Sequence, residues 1–519
     1  MEDDVIDDNT FDALPPEEAL ERLGIMIDEA ADTKDAALNH RALELCQRLH
    51  SRANLPGNIA ALGHYFKANA FDNQLAFEGT RREWAWDVSH LENELFELRR
   101  AVKHRAFVDL DPVRRCQILT NLANKFHSVG RPVEAVAYWD RAVSIIPQFG
   151  MALGNRGHGL VHYSNALYDD GHAGVFLADA HESFSHAAAD TAFFESDEGR
   201  GYQPRFLASS KWIEDRIDVA GSLEDLHRQF DLGSSSEERA YRSWCLSNRL
   251  FLNPLNDLGN HSIAANDVLH LPSVTTSVEY GPEPPALFGF YNQLKQEFVS
   301  ARWLAYEGLT EEHGHFSDRD THLYDTLGVP SYSLGTEKTK LAFRMAYSLF
   351  DKIAFFLNDY LAVGVEERNV SFRGIWFGGK RGSKILAPIF VDRENWALRG
   401  LYWLSKDLYE ATFKEVAEPD AEGFSELRNH LEHKYCQVFQ DVGLGYGRVA
   451  TSLNGSILGF QIERQTLDAR CLHILKLSRA ALIYLSLSVH REEEVRRSER
   501  PKRLSMPMPL WIWKERGRL

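Results

Sequence analysis

The sequence predicts an all-α fold: a solenoid of short helical repeats, then a four-helix bundle carrying a small strand-containing insert. Three observations lead there. Apolar residues return at helical spacing through most of the 519 residues. One stretch around residues 119–147 alternates large and small residues as two tightly packed antiparallel helices require. Four long amphipathic patterns follow from about residue 338. Hydrophobic residues at 44% and charged residues at 26% suit a folded chain. Lys plus Arg total 58 against 75 Asp plus Glu, a net charge of −17, which argues against a general polyanion binder and leaves room for a local basic site.

Residues 1–21 hold nine acidic residues and no basic one, and read as a solvated acidic tail leading into a helix. The N-terminus lacks the basic and apolar blocks of a secretory signal. The longest apolar run, Ala480–Val489, is too short to span a bilayer. Cys46, Cys116, Cys245, Cys436 and Cys471 form no Cys-x-x-Cys pair, so neither a disulfide scaffold nor a structural zinc site is expected. These features together predict a soluble cytoplasmic protein with no membrane partner.

Residues 22–200 read as helix after helix. Leu119, Leu122, Ala123, Phe126, Gly130, Ala135, Trp139, Ala142 and Pro147 fall in one register: large, large, small, aromatic, turn, small, aromatic, small, stop. Gly130 turns the chain and Pro147 ends the second helix. Leu153, Gly157, Ala180, Phe184 and Ala187 repeat the register more loosely, and Leu62, Gly63 and Phe66 suggest an earlier first helix. The stretch resembles a divergent tetratricopeptide array of three to five units. That resemblance implies a curved scaffold whose expected partner is a protein or peptide.

Residues 201–337 mix Gly-, Pro- and Ser-rich loops with one amphipathic helix (Leu287, Tyr291, Leu294, Phe298, Ala301, Leu304), and read as a connector packed on both neighbours. Residues 338–495 supply the bundle. Its four patterns are Lys338–Val363, burying Leu341, Met345, Leu349, Ile353, Phe356 and Tyr360; Glu394–Val416; Phe424–Gln440; and Glu463–Val489, apolar almost all round. A strand-like insert, Val370–Val391, lies between the first two. Residues 496–519 form a basic tail with eight Lys/Arg, two acidic residues and Trp511 and Trp513, read as docking its tryptophans on the bundle.

In the third bundle pattern Phe424, Leu427, Leu431, Tyr435 and Val438 form a narrow apolar stripe. At about 100° per residue, Arg428, Glu432, Asn429 and His433 lie at about 0°, 40°, 100° and 140° on the opposite arc. Ser425 is a plausible N-cap, placing Arg428 in a first turn that favours phosphate. Arg428-Asn429-x-x-x-His433 in the third of four helices resembles the HEPN superfamily, four-helix bundles marked by Arg, four to six residues, then His. The resemblance covers about 338–495. It implies a ribonuclease that leaves a 2′,3′-cyclic phosphate and a 5′-OH without metal or other cofactor. It further implies a homodimer through the bundle, and a toxin-like or antiviral setting in which helical repeats restrain the nuclease. Arg428, His433 and Asn429 are then the expected catalytic set, with Glu432, Lys380 and Arg381 as further substrate contacts.

Other constellations rank below. Arg99 to His104 repeats the Arg-x4-His spacing, within a cation-rich stretch read as an exposed repeat face. Arg156 to His162 is a looser match. Gly378–Gly382 with Lys380 and Lys384 lacks the Gly-x4-Gly-Lys-[Ser/Thr] order and reads as a hairpin turn. His313, His315, Asp318, Asp320 and His322 lack metal-type spacing, and His158 and His162 read as ordinary core or surface histidines. The expected function is a metal-independent endoribonuclease acting on RNA. The rival is a non-catalytic adaptor or nucleotide-binding scaffold.

Overall fold

The computed structural model describes residues 7–77, 85–275, 286–311, 313–324, 330–378, 385–409, 435–439 and 459–499, with Phe424, Leu427, Arg428, Leu431 and Leu510 singly. The acidic start is not a solvated tail from residue 7 onward. Helix α1 (Asp8–Ala13) is capped by Asp7, and α2 (Pro16–Thr33) carries Pro16 and two glutamates in its first turn. Phe11 is fully buried, and Asp8 and Asp12 pair with Arg41 and Arg48 on α3 (Ala36–His50). The acidic run is held by cations that lie about thirty-five residues later, out of reach of any local pattern.

The chain continues as paired helices: α4 (Gly57–Phe77) and α5 (Ser89–Lys103); α6 (Pro112–Ser128) and α7 (Pro132–Ile145); α8 (Gly150–Ala166) and α9 (Asp170–Ala188). Each packs on the next in order. Leu119, Leu122, Ala123 and Phe126 on α6, and Ala135, Trp139 and Ala142 on α7, are all buried. Gly130 turns between them at φ +84°, a left-handed conformation that favours glycine. Gly157 lies against Phe184 of α9 and Gly159 against Trp139, so small meets large across the hairpins.

Next come α10 (Asp197–Arg200), α11 (Gln203–Glu214), α12 (Val219–His227) and α13 (Ser236–Ser247), the first two continuing outward beyond α9. Helix α14 (Ala286–Thr310) packs on both α15 (Leu334–Tyr360) and the C-terminal helix, so it is a bundle helix rather than part of a connector. Ser333 caps α15 by accepting from the Thr336 amide at 3.1 Å. The buried face of α15 is broader than a single stripe, with Ala342, Phe343, Ala346, Tyr347, Leu349, Phe350 and Ile353 covered while Leu341 is 44% exposed.

Within the insert, residues 372–376 form turns and Pro388–Val391 the short α16. Among the described residues of that insert, an isolated antiparallel bridge, Phe377 to Leu386, stands where strands are expected. Helix α17 (Trp396–Tyr409) is buried on nearly every side.

The largest departure follows. The pattern read as one helix over Phe424–Gln440 is helical at Phe424, Leu427, Arg428 and Leu431, but Tyr435–Phe439 is strand β1. It pairs in parallel with β2 (Gly459–Glu463), Tyr435 opposite Gly459 through Phe439 opposite Glu463. Its ends are anchored again by Pro330 and by the Ser331 amide donating to the Val438 carbonyl at 2.7 Å. Helical spacing and strand alternation both bury Val438 here, and the neighbouring strand decides between them.

Helix α18 (Arg464–Glu499) runs ten residues past the expected end. Among the described residues it is the one helix long and apolar enough to cross a membrane, and 83% of its most apolar window is buried within the fold. The bundle is therefore α14, α15, α17 and α18. A single core runs from Ala61 to Val489 through both halves of the chain, with a smaller N-terminal core around Phe11, Leu23 and Leu49.

Helix α17 welds those halves. Gly130 and Gly400 meet so closely that a Cβ on either would lie about 2 Å from backbone of the other helix (1.9 Å from the Trp396 oxygen, 2.0 Å from the Gly130 oxygen). Trp396 Nε1 donates to the His127 carbonyl at 2.8 Å and Arg399 to the Ser128 carbonyl at 3.2 Å, closing the C-terminus of α6. Asp407 accepts two bonds from Arg99 (2.6 and 2.7 Å) and another from Arg131. Lys406 reaches Asp87 at 2.6 Å and Glu92 at 2.9 Å.

Candidate functional site

Phe424 and Leu427 are buried to within 1% and seat the Arg428 segment on the bundle. The Phe424 ring lies 5.7 Å from Phe343 of α15 and stacks on His473 of α18 at 5.5 Å and 20°. Leu431 packs partly buried against the same core. The predicted apolar stripe is thus real through Leu431; Tyr435 and Val438 belong to β1.

One turn beyond Phe424, the partly buried Arg428 guanidinium lies over the Tyr347 ring, 5.4 Å from its centre. Tyr347 meets Tyr409, the last residue of α17, edge to face at 6.3 Å and 84°. Burial first, then Tyr347 and Asp351, push the Tyr409 phenol well above its ordinary range, while Arg428 pulls it down. Burial thus keeps the Tyr409 phenol protonated, and the Tyr347 ring offers Arg428 a π face. Below, the Tyr435 hydroxyl bonds to that of Tyr332 at 2.7 Å.

Of the candidate residues, Arg428 alone is described. His433, Asn429, Glu432, Ser425, Lys380 and Arg381 lie outside the described residues, as do Trp511 and Trp513. Tyr347, Tyr409 and His473 escaped sequence reasoning. Each reads locally as a residue of an apolar helix, and only the packing brings them to the Phe424–Arg428 segment.

The competing motifs resolve differently. Arg99 is 6% exposed and bound to Asp407, not displayed on a repeat face, and His104 Nδ1 accepts from the Ala106 amide at 3.2 Å. Arg156 bonds Asp140 and Asp179, both at 2.8 Å, in the interior. His162 packs 4.1 Å from the Trp396 ring and 2.9 Å from His127, and His158 against Phe184 and Phe206. Among the described residues no three His, Cys, Asp or Glu side chains gather into a metal-binding group, and His313, His315, Asp318, Asp320 and His322 lie along a polar loop.

No curated protein and no solved structure matches the chain. The family comparison does find a match. Residues 278–492, starting some sixty residues before the expected 338 and so taking in α14, α15, α17, both strands, most of α18 and the Arg428 segment, match the family model of LA2681-like HEPN domains.

Proposed function

We propose that this chain is a metal-independent endoribonuclease acting through Arg428 and His433. The observation that carries the reading is Arg428: a partly exposed guanidinium, over the Tyr347 ring, five residues ahead of a histidine in a region similar to LA2681-like HEPN domains. In the reaction a base removes the proton of a ribose 2′-OH, the O2′–P bond forms and the P–O5′ bond breaks. An acid protonates the departing O5′, leaving a 2′,3′-cyclic phosphate and a 5′-OH. Imidazole as a class serves either proton transfer near neutrality. The Arg428 guanidinium binds the phosphate through two parallel N–H donors and stabilises charge growing on its non-bridging oxygens. Asn429 orients the phosphate or the imidazole, and Glu432, Lys380 and Arg381 flank the RNA.

A homodimer that sets two such helices across one cleft supplies base, acid and clamp together. The upstream hairpins, tetratricopeptide-like in this reading, take a protein or peptide partner and restrain the nuclease, which suits a cytoplasmic toxin-like or antiviral role.

RNA cleavage by the full-length protein in excess EDTA tests the proposal. Wild type is expected to cut and to leave cyclic-phosphate ends, while Arg428→Ala and His433→Ala each lose about 10²–10³-fold. Cleavage that survives both substitutions, or that stops with EDTA alone, overturns the mechanism. Binding of RNA without cleavage in any assembly favours the adaptor.

A further inference from the structure

We propose that the cleft between α13, the last turns of α14 and the start of α15 is a binding site for an arginine side chain presented by a peptide segment of a protein partner. The inference is independent of the nuclease reading. The cleft has a volume of about 480 Å³, within the range of pockets that hold small ligands. Helix α14 lines it with Trp303, Tyr306, Glu307 and Thr310, and Glu311 follows at the helix end. These positions share one face at the spacing of a core stripe. The core face of α14 is the opposite one, where Phe298, Ala301, Ala305 and Gly308 are buried. Trp303 and Tyr306 are only half-buried, and they open into the cleft.

Both rings are held in place by their neighbours. Tyr241 of α13 meets Trp303 edge to face at 4.9 Å and 78°, and Tyr306 at 5.2 Å and 61°. Trp244 packs on Tyr306 at 5.4 Å, and the buried Arg302 donates to the Tyr241 hydroxyl at 2.8 Å. The loop after α14 adds a third ring, Phe316, backed by His315 at 4.1 Å. Asp318 ties that loop to α15 by accepting from the Leu334 amide at 2.9 Å. Phe316 is 70% exposed. A ring so exposed on an anchored loop, beside two half-buried ones, is apolar surface that a ligand would cover.

The charges select that ligand. Glu237 stands in the first turn of α13, and Glu311 lies against Gly335 in the first turn of α15, where a Cβ would strike its carboxylate. Two carboxylates are thus set beside the rings, while Glu307 is engaged by Lys338 at 3.0 Å. A guanidinium is planar: its face stacks on tryptophan or tyrosine, and its N–H edge forks onto carboxylates. Rings and acids in one cleft serve both surfaces of the same group. Arg319 and Lys338 also line the cleft, and they favour a peptide over a free polyamine. Cations repel a wholly positive ligand but donate to peptide carbonyls. The three carboxylates oppose a nucleotide phosphate by the same rule.

The test titrates the full-length protein with a dye-labelled Gly-Gly-Arg-Gly-Gly peptide and its citrulline counterpart, which keeps the shape and loses the charge. Fluorescence polarisation reads the affinity. The arginine peptide is expected to bind about tenfold more tightly than the citrulline peptide. Phe316→Ser and Glu237→Gln replace exposed side chains and leave the thermal midpoint unchanged. Each is expected to weaken the arginine peptide about threefold to tenfold. Gly335→Ala, which displaces the Glu311 carboxylate, is expected to act in the same direction. Equal affinity for the two peptides, binding of neither, or an affinity that neither surface variant lowers overturns the proposal. So does displacement of the labelled arginine peptide by spermidine or adenosine monophosphate at lower concentrations than by the unlabelled peptide. None of these readouts depends on RNA cleavage, so loss of the nuclease reading leaves the site standing.

Discussion

Asp407 ties α17 to two arginines of the repeat half. Burial alone raises a carboxyl pKa, but Arg131 and Arg99 overcome it and hold Asp407 well below the usual carboxylate range. Two buried guanidiniums share that carboxylate, and Arg131 pairs with Glu134 at 2.6 Å as well. Removing its charge takes away the carboxylate they share in a medium that penalises undercompensated ions. Asp407→Asn is expected to lower unfolding free energy by about 3–5 kcal/mol in urea titration. A loss under 1 kcal/mol means that the cations find other partners. The depressed pKa gives stability that is fully present above the unfolded carboxyl value and is lost as pH falls toward the folded one, so this pair matters near neutrality and fails only in strong acid.

At the level of elements, α17 has two edges with different tasks. Its first turns cap α6 and cross the Gly130 turn, while its last residue meets Tyr347 of α15. The crossing works because neither glycine carries a Cβ. Gly400→Ala is a clean probe, since alanine favours a helix interior by about 1 kcal/mol over glycine. If backbone contact controls this crossing, the substitution lowers the thermal midpoint despite that preference, through about 1–3 kcal/mol of overpacking. A higher midpoint shows that α17 and the α6–α7 turn separate easily. Much of this level was legible beforehand. The spacing from Leu119 to Pro147 located a hairpin, its turn and its buried face, because short-range packing in such hairpins depends on neighbours in sequence. Strand β1 was not legible, because five residues of the sequence Tyr-Cys-Gln-Val-Phe suit either a helix end or a strand. Only the parallel partner at 459–463 settles it.

Across the whole molecule, acid is expected to act through histidine before carboxylate. Burial lowers the pKa of His64, His104, His127, His158, His162, His172, His261 and His490, with His127 brought to about 3 by burial, then by His162 and His158. A histidine whose folded pKa lies below its unfolded value binds its proton more readily in the unfolded chain. Its contribution is whole above about pH 6.5 and shrinks as pH falls below that value toward the folded pKa. The unfolding free energy from urea titration is therefore expected to fall between pH 7 and pH 5, by about 1 kcal/mol per pH unit for His127 alone. His127→Phe is expected to flatten that slope while keeping a ring against Trp396, from which His127 stands 5.0 Å. Equal slopes in the two proteins place the acid sensitivity elsewhere.

The sequence by itself determined the helical class, the hairpin register from Leu119 to Pro147, three of the bundle's long helices in outline and the Arg428–His433 spacing. These are periodicities and local turns, and they follow from which side chains can share a face within a few residues. Tertiary structure alone decided that α14 joins the bundle, that residues 435–439 are a strand, that the acidic start is docked, and that Arg99 is a structural cation while Arg428 stands over an aromatic floor. Each of those outcomes depends on a partner tens to hundreds of residues away. An arginine has the same local pattern whether it is sealed in the core or left partly exposed, and packing against distant residues is what separates the two.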